Sequence, residues 1–196
     1  MKFNPDIHHR RSIRLQNYDY SQSGLYFVTI CVNYRLAVLG QIMNGKMQLN
    51  DAGMIVENTW LDLVNHVSNV KLHEFVVMPN HFHGIIEIVG AGSKPAQHDD
   101  NLSNGNLRYE RAGLEPAPTK GLSEIIRQFK TFSARRINQL QNSIGAPVWQ
   151  RNYHEHIIRN EADYLRIANY VQTNPLRWNE DCYFANAAMD CNSTLP

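Results

Sequence analysis

One stretch constrains everything around it: Val76-Val77-Met78-Pro79-Asn80-His81-Phe82-His83-Gly84-Ile85-Ile86. Two apolar runs flank a Met-Pro-Asn turn signal, which predicts a β-hairpin whose second strand starts near His81. Side chains alternate along a strand, so His81 and His83 share one face and Phe82 points to the other. Two imidazoles one strand-step apart, fixed by a sheet, can hold one divalent cation, while Phe82 anchors the strand in a core. A His-x-His on a half-exposed strand can equally be decoration, so the pair needs support from elsewhere in the chain.

The neighbouring segments complete a pattern. Residues 25–32 are β-branched and aromatic and follow Ser23-Gly24, as a buried central strand would. Residues 36–49 read as a small accessory hairpin, because Asn44-Gly45 suits a type I′ turn. Asn50-Asp51 can cap a helix with its apolar stripe on Met54, Ile55, Trp60, Leu61 and Val64. A second helix over 122–142 carries Leu122, Ile125, Ile126, Phe129, Phe132 and Leu140 on one stripe, with Arg127, Lys130, Arg135 and Arg136 largely off it. That basic face is a solvated surface or a contact for a nucleic-acid backbone. A strand over 153–158 follows, and Asn160 caps a last helix that ends before Asn174-Pro175. The order is β-α-β-β-α-β plus a further helix. This predicts an α+β, ferredoxin-like antiparallel sheet with its helices on one face, and a C-terminal helix carrying Tyr170.

Residues 1–24 form a basic arm with His8, His9, Arg10, Arg11 and Arg14. Residues 25–178 form one domain with a flexible Gly-, Ser-, Asn- and Pro-rich loop over 90–119, and 179–196 form a small, polar tail. At 196 residues the chain is too short for two comfortable domains. A formal charge of only +1 means that nucleic-acid binding must come from local patches. Three cysteines with no C-x-x-C pair point to reduced thiols and a cytoplasmic setting. There is neither a signal peptide nor an apolar run near the ~20 residues that span a bilayer.

In the last helix the apolar stripe is Tyr164, Ile167, Ala168 and Val171. Tyr170 and Asn174 lie about 40° apart on its edge, one turn from each other. A hydroxyl and an amide there can face a site between helix and sheet, or serve as an ordinary amphipathic edge and a helix end. Tyr153, on the strand, and Tyr164, within the apolar stripe, carry two further hydroxyls in this part of the chain. His154-Glu155-His156 is a competing His-x-His whose Glu155 must point to the opposite face.

These pieces together resemble a known family. They are Arg10-Arg11-Ser12-Ile13-Arg14-Leu15 with Tyr18-Asp19-Tyr20, then Tyr26-Phe27-Val28-Thr29-Ile30-Cys31, then the Pro79-Asn80-His81-Phe82-His83-Gly84 hairpin. Trp149-Gln150-Arg151, His156-Ile157-Ile158-Arg159-Asn160, and Tyr170 with Asn174-Pro175 complete the set. The chain resembles the REP-associated tyrosine transposases, in the insertion-sequence-200-like, single-tyrosine branch of the HUH (His-hydrophobic-His) endonucleases.

The resemblance implies that His81, His83 and Asn174 hold Mg²⁺ or Mn²⁺ and that Tyr170 attacks a phosphodiester, leaving a covalent 5′-phosphotyrosine and a free 3′-hydroxyl. Some relatives place Gln or Glu at the position of Asn174. The implied substrate is single-stranded DNA beside a short palindromic hairpin. Arg10, Arg11, Arg14, Arg127, Lys130, Arg151 and His156 are the expected DNA contacts, and a monomer is expected over a dimer. Two rivals stand beside this reading: a nuclease in which metal-bound water attacks, and a hairpin-binding module without catalysis.

Overall fold

The computed structural model describes residues 18–90, 120–181 and 183–184. The arm residues Arg10, Arg11 and Arg14, the loop over 91–119, and residues 185–196 lie outside it. The elements are β1 (Gly24–Cys31), β2 (Gly40–Met43), β3 (Lys46–Leu49), α1 (Asp51–Leu61), α2 (Leu63–His66), β4 (Val70–Val77), β5 (His81–Ile88), α3 (Leu122–Leu140), β6 (His154–Ile158) and α4 (Glu161–Thr173). A 3₁₀ segment over Asn174–Glu180 follows α4. Four strands form one sheet in the order β4-β5-β1-β6, every neighbouring pair antiparallel. This is the ferredoxin-like order, with β2–β3 as a separate two-stranded hairpin. No helix among the described residues is long and apolar enough to cross a membrane.

Local chemistry accounts for the boundaries. Asn50 caps α1, its side chain accepting from the Gly53 amide at 3.0 Å, and Asn160 caps α4, accepting from the Asp163 amide at 2.8 Å. The β2–β3 turn places Asn44 (φ 52°) and Gly45 (φ 72°) in the left-handed region that a type I′ turn requires. The Met78-Pro79-Asn80 turn returns the chain so that β5 begins at His81.

The two faces of the sheet bury different things. On one, α1 and α3 cover Tyr26, Val28, Ile30, Phe82 and Ile86. There Trp60 stands 4.7 Å from Phe82 and 5.3 Å from Phe129, ring centroid to centroid. Gly84 makes this possible, since a Cβ there would lie 2.8 Å from both the Trp60 and Phe82 rings. On the other face, Ile167, Ala168 and Val171 of α4 pack on Phe27, Ile85 and Ile158.

The stripe on α3 differs from the sequence expectation. Phe132 and Leu140 are exposed, whereas Ser133 and Ile137 are buried. The inward row steps 129, 133, 137. Ser133 fits because its hydroxyl bonds back to the Phe129 carbonyl at 2.7 Å and accepts from the Trp149 indole at 2.9 Å.

Just beyond β1 the backbone is strained. Tyr34 (φ 55°, ψ 15°) and Arg35 (φ 55°) both adopt left-handed conformations. For residues with a Cβ this costs roughly 1–2 kcal/mol each.

Candidate metal and tyrosine centre

The α4 face carries the predicted histidines. His83 on β5 lies opposite Thr29 of β1 and Val76 of β4, and His81 lies opposite Cys31. Both rings are fully buried, at 0% exposure, and their centroids are 4.5 Å apart. They are therefore not decoration on a half-exposed strand.

Neighbouring side chains fix each ring. Asn80 donates its amide to the carbonyls of Arg35 (3.1 Å) and Tyr183 (2.7 Å). That orients its Oδ1 towards His81 Nδ1, 2.8 Å away. Oδ1 can only accept, so His81 carries its proton on Nδ1 and presents a lone pair at Nε2. His83 Nδ1 is held at 2.8 Å by Thr29 Oγ1. On the other side of the ring, the Tyr170 hydroxyl faces His83 Nε2 at 3.4 Å.

Burial pushes both imidazoles well below the ordinary histidine range, His83 to about 3 with a contribution from His154, and His81 with contributions from His83 and Arg35. Both are neutral at physiological pH, which is the ligating form.

α4 delivers Tyr170 because Ile167 and Val171 seat that edge of the helix on the sheet. The phenol ring meets His83 edge-on at 5.3 Å and Phe27 at 6.2 Å. Asn174, one turn on, is buried, and its Nδ2 donates to Asp181 Oδ2 at 3.0 Å.

Asp181 is the participant that the sequence reading missed. The chain does not stop packing after Trp178: the 3₁₀ segment returns Asp181 and Tyr183 to the centre, both buried. Asp181 Oδ1 accepts from the Tyr183 amide at 2.7 Å, and Oδ2 stands 3.9 Å from His81 Nε2. The His81 ring is neutral, so this is not an ion pair. Donor atoms of His81, His83 and Asp181 all lie within 4.8 Å of one another. His81 Nε2 and Asn174 Oδ1 are buried acceptors without a hydrogen-bond partner, a costly state that a cation would relieve. Two imidazole nitrogens, a carboxylate and an amide oxygen fit a divalent ion.

The remaining predicted residues are dispersed. Tyr153 points to the other face, 3.5 Å from Ser123 Oγ. Tyr164 donates to Glu74 at 2.6 Å and its phenol is pushed up to about 12, chiefly by that bond. Neither reaches the histidine pair. Glu155 is buried opposite Val28, on the face away from His154 and His156, as expected.

The expected DNA contacts are also spread out. Arg127 is exposed and forks onto Glu124 at 2.8 and 2.6 Å. Lys130 turns its ammonium onto the carbonyls of Gln150, Arg151 and Asn152 at 2.6–3.3 Å, holding the segment that carries the exposed Arg151. His156 bonds to Asp163 at 2.9 Å.

The fold is that of a REP-associated tyrosine transposase solved bound to a REP hairpin: TM-score 0.53, 19% identity, covering 84% of this chain and 74% of that one. A protein of Haemophilus influenzae provisionally named a REP-associated tyrosine transposase is 24% identical over 165 residues, covering 83% of this chain and 77% of its own. The chain belongs to one family with an uncharacterized Haemophilus influenzae protein, 43% identical over 187 residues, 92% of this chain and 96% of that protein. No protein-family model matches.

Proposed function

We propose that the protein is a metal-dependent transposase that cleaves and rejoins single-stranded DNA beside hairpins through Tyr170. The observation that carries this reading is the Tyr170 hydroxyl, aimed at a buried, neutral histidine pair from a different element, 3.4 Å from His83 Nε2. The hairpin-bound structural neighbour supports hairpin DNA as the substrate.

His81, His83 and Asp181, with the Asn174 amide oxygen beside them, would hold Mg²⁺ or Mn²⁺. When bound, the ion supplies positive charge that stabilises a phosphate as negative charge builds on it. Phe27 and His83 hold the Tyr170 ring edge-on, so its oxygen is positioned before the substrate arrives. That oxygen gives up its proton as it bonds to phosphorus, the bond from phosphorus to the 3′-oxygen breaks, and the departing oxygen takes up a proton in its place. The phosphodiester energy is kept in the phosphotyrosine. A second 3′-hydroxyl can therefore attack it and rejoin a strand.

The arm residues Arg10, Arg11 and Arg14, together with Arg127, Arg151 and His156, supply backbone contacts, and Lys130 organises the segment bearing Arg151. One protomer contains the tyrosine and the donor set together, which favours a monomer.

The test is covalent capture. Labelled single-stranded DNA carrying palindromes from beside the protein's gene is incubated with the protein and Mn²⁺, then run on a denaturing gel. The expected result is a shifted band absent from Tyr170→Phe and His81→Ala. Cleavage without a shifted band, unchanged in Tyr170→Phe, would replace this reading with attack by water. Hairpin binding without cleavage would replace it with a binding module.

A further inference from the structure

The strained turn after β1 is tied directly to the centre. The Arg35 carbonyl accepts from Asn80 Nδ2 at 3.1 Å, and the same Asn80 side chain bonds to His81 Nδ1 at 2.8 Å. The Arg35 guanidinium lies 5.2 Å above the Tyr183 ring, and that ring lies 4.6 Å from His81. Two independent connections thus fix Arg35 to the histidine site. The next residue back, Tyr34, is 83% exposed.

A tyrosine turned out to water on left-handed backbone is doubly disfavoured. Its ring buries little, and its Cβ opposes the dihedrals that a glycine would accept freely. Strain of this kind persists where the surroundings impose it, and it gathers at ligand-binding positions. Here the surroundings are the Asn80 bond and the Arg35–Tyr183 stack, both anchored on His81.

We propose that Tyr34 is a stacking platform for one unpaired nucleobase of the DNA strand that enters the His81–His83–Tyr170 centre, with Arg35 as its positioning residue. An exposed aromatic face accepts any base without reading its edge. A platform one residue from the Asn80 anchor would set which phosphate of the strand comes to rest at Tyr170. This inference rests on the proposed reading of the centre as acting on single-stranded DNA.

The experiment uses the full chain and fluorescein-labelled hairpin oligonucleotides with a single-stranded flank, taken from beside the protein's gene. Matching oligonucleotides carry an abasic site at each flank position in turn. Wild type, Tyr34→Phe and Tyr34→Gly are compared by anisotropy and by thermal unfolding. Tyr34→Phe should bind as wild type, because stacking needs the ring and not the hydroxyl. Tyr34→Gly should lose about tenfold in affinity, and that loss should vanish on the oligonucleotide abasic at one position. Its Tm should rise, because the left-handed strain is relieved. Undiminished binding by Tyr34→Gly, or an equal loss on every abasic oligonucleotide, overturns the platform while the reading of the centre stands. Failure of wild type to bind any of these oligonucleotides overturns the reading of the centre, and the platform with it.

Discussion

The two faces of the central sheet spend their burial in opposite ways. Under α1 and α3, Trp60, Phe82, Phe129 and Ile126 fill space as an apolar layer, in which the Trp60 indole N–H makes no hydrogen bond. Under α4, the equally buried His81, His83, Thr29 and Asn174 are polar, and two of their acceptors lack a hydrogen-bond partner. β5 serves both faces: Phe82 anchors one while its neighbours His81 and His83 furnish the other. A strand fixed by an aromatic layer on one side can hold reactive groups rigidly on the other, because the layer supplies stability that those groups do not.

The contrast can be broken by exchanging what each face loses. Tyr170→Phe should cut phosphotyrosine formation by at least about a thousandfold while leaving urea stability within about 0.5 kcal/mol. Phe129→Ala should do the reverse. It removes a ring with 0% exposure from the apolar face and should lower stability by about 3–5 kcal/mol, with adduct yield per folded molecule unchanged. Equal effects of both substitutions on stability would mean that the faces are not specialised.

Relieving the strained polar face should stabilise the protein. Mn²⁺ at a hundred times its dissociation constant is expected to add about 2.7 kcal/mol, and His81→Ala should abolish that gain. Asp181→Asn should weaken it, and an undiminished gain in that variant would remove Asp181 from the ligand set. Calorimetry with Mn²⁺ alone reads both without any DNA.

Acid should sharpen the contrast in chelator. His83 is held down at about 3 in the folded protein, against about 6.5 unfolded. Between those values the unfolded chain binds the extra proton, so stability rises with pH and is lost as pH falls below about 6.5. From pH 7 to pH 5 the loss from His83 should be about 2 kcal/mol, and His81 acts in the same direction. Urea titrations of wild type and His83→Gln, which should show a shallower fall, check the sign.

Much of this was legible before any coordinates. The Met-Pro-Asn turn and the alternation of β5 place His81 and His83 on one face, whereas the edge position of Tyr170 on its helix suits a site residue and an ordinary amphipathic edge equally. Asn50 and Asn160 cap helices because a short polar side chain before an apolar stripe has one good use. Other parts depend on pairing that no local pattern records. Thr29 reads as an ordinary β-branched strand residue until the register sets it opposite His83. Asn80 reads as turn chemistry until Arg35 and Tyr183 fix its amide. Asp181 lies in a stretch with no periodicity, so only the path of the chain after Pro175 returns it to His81. The apolar residues Phe132 and Leu140 misled because periodicity registers hydrophobicity and not contact; Ser133 took the inward place through its hydroxyl.

The separation of Tyr170 from His83 by 87 positions has a consequence for how the molecule comes into being. A polypeptide grows from its N-terminus at about 5–20 residues per second. The histidine strand therefore leaves the ribosome several seconds before the helix that brings the tyrosine. During that interval the nascent chain can shelter its aromatic layer, while Tyr170, Asn174 and Asp181 have yet to join the histidine pair. The centre is therefore completed late in synthesis, when α4 and the 3₁₀ segment behind it dock.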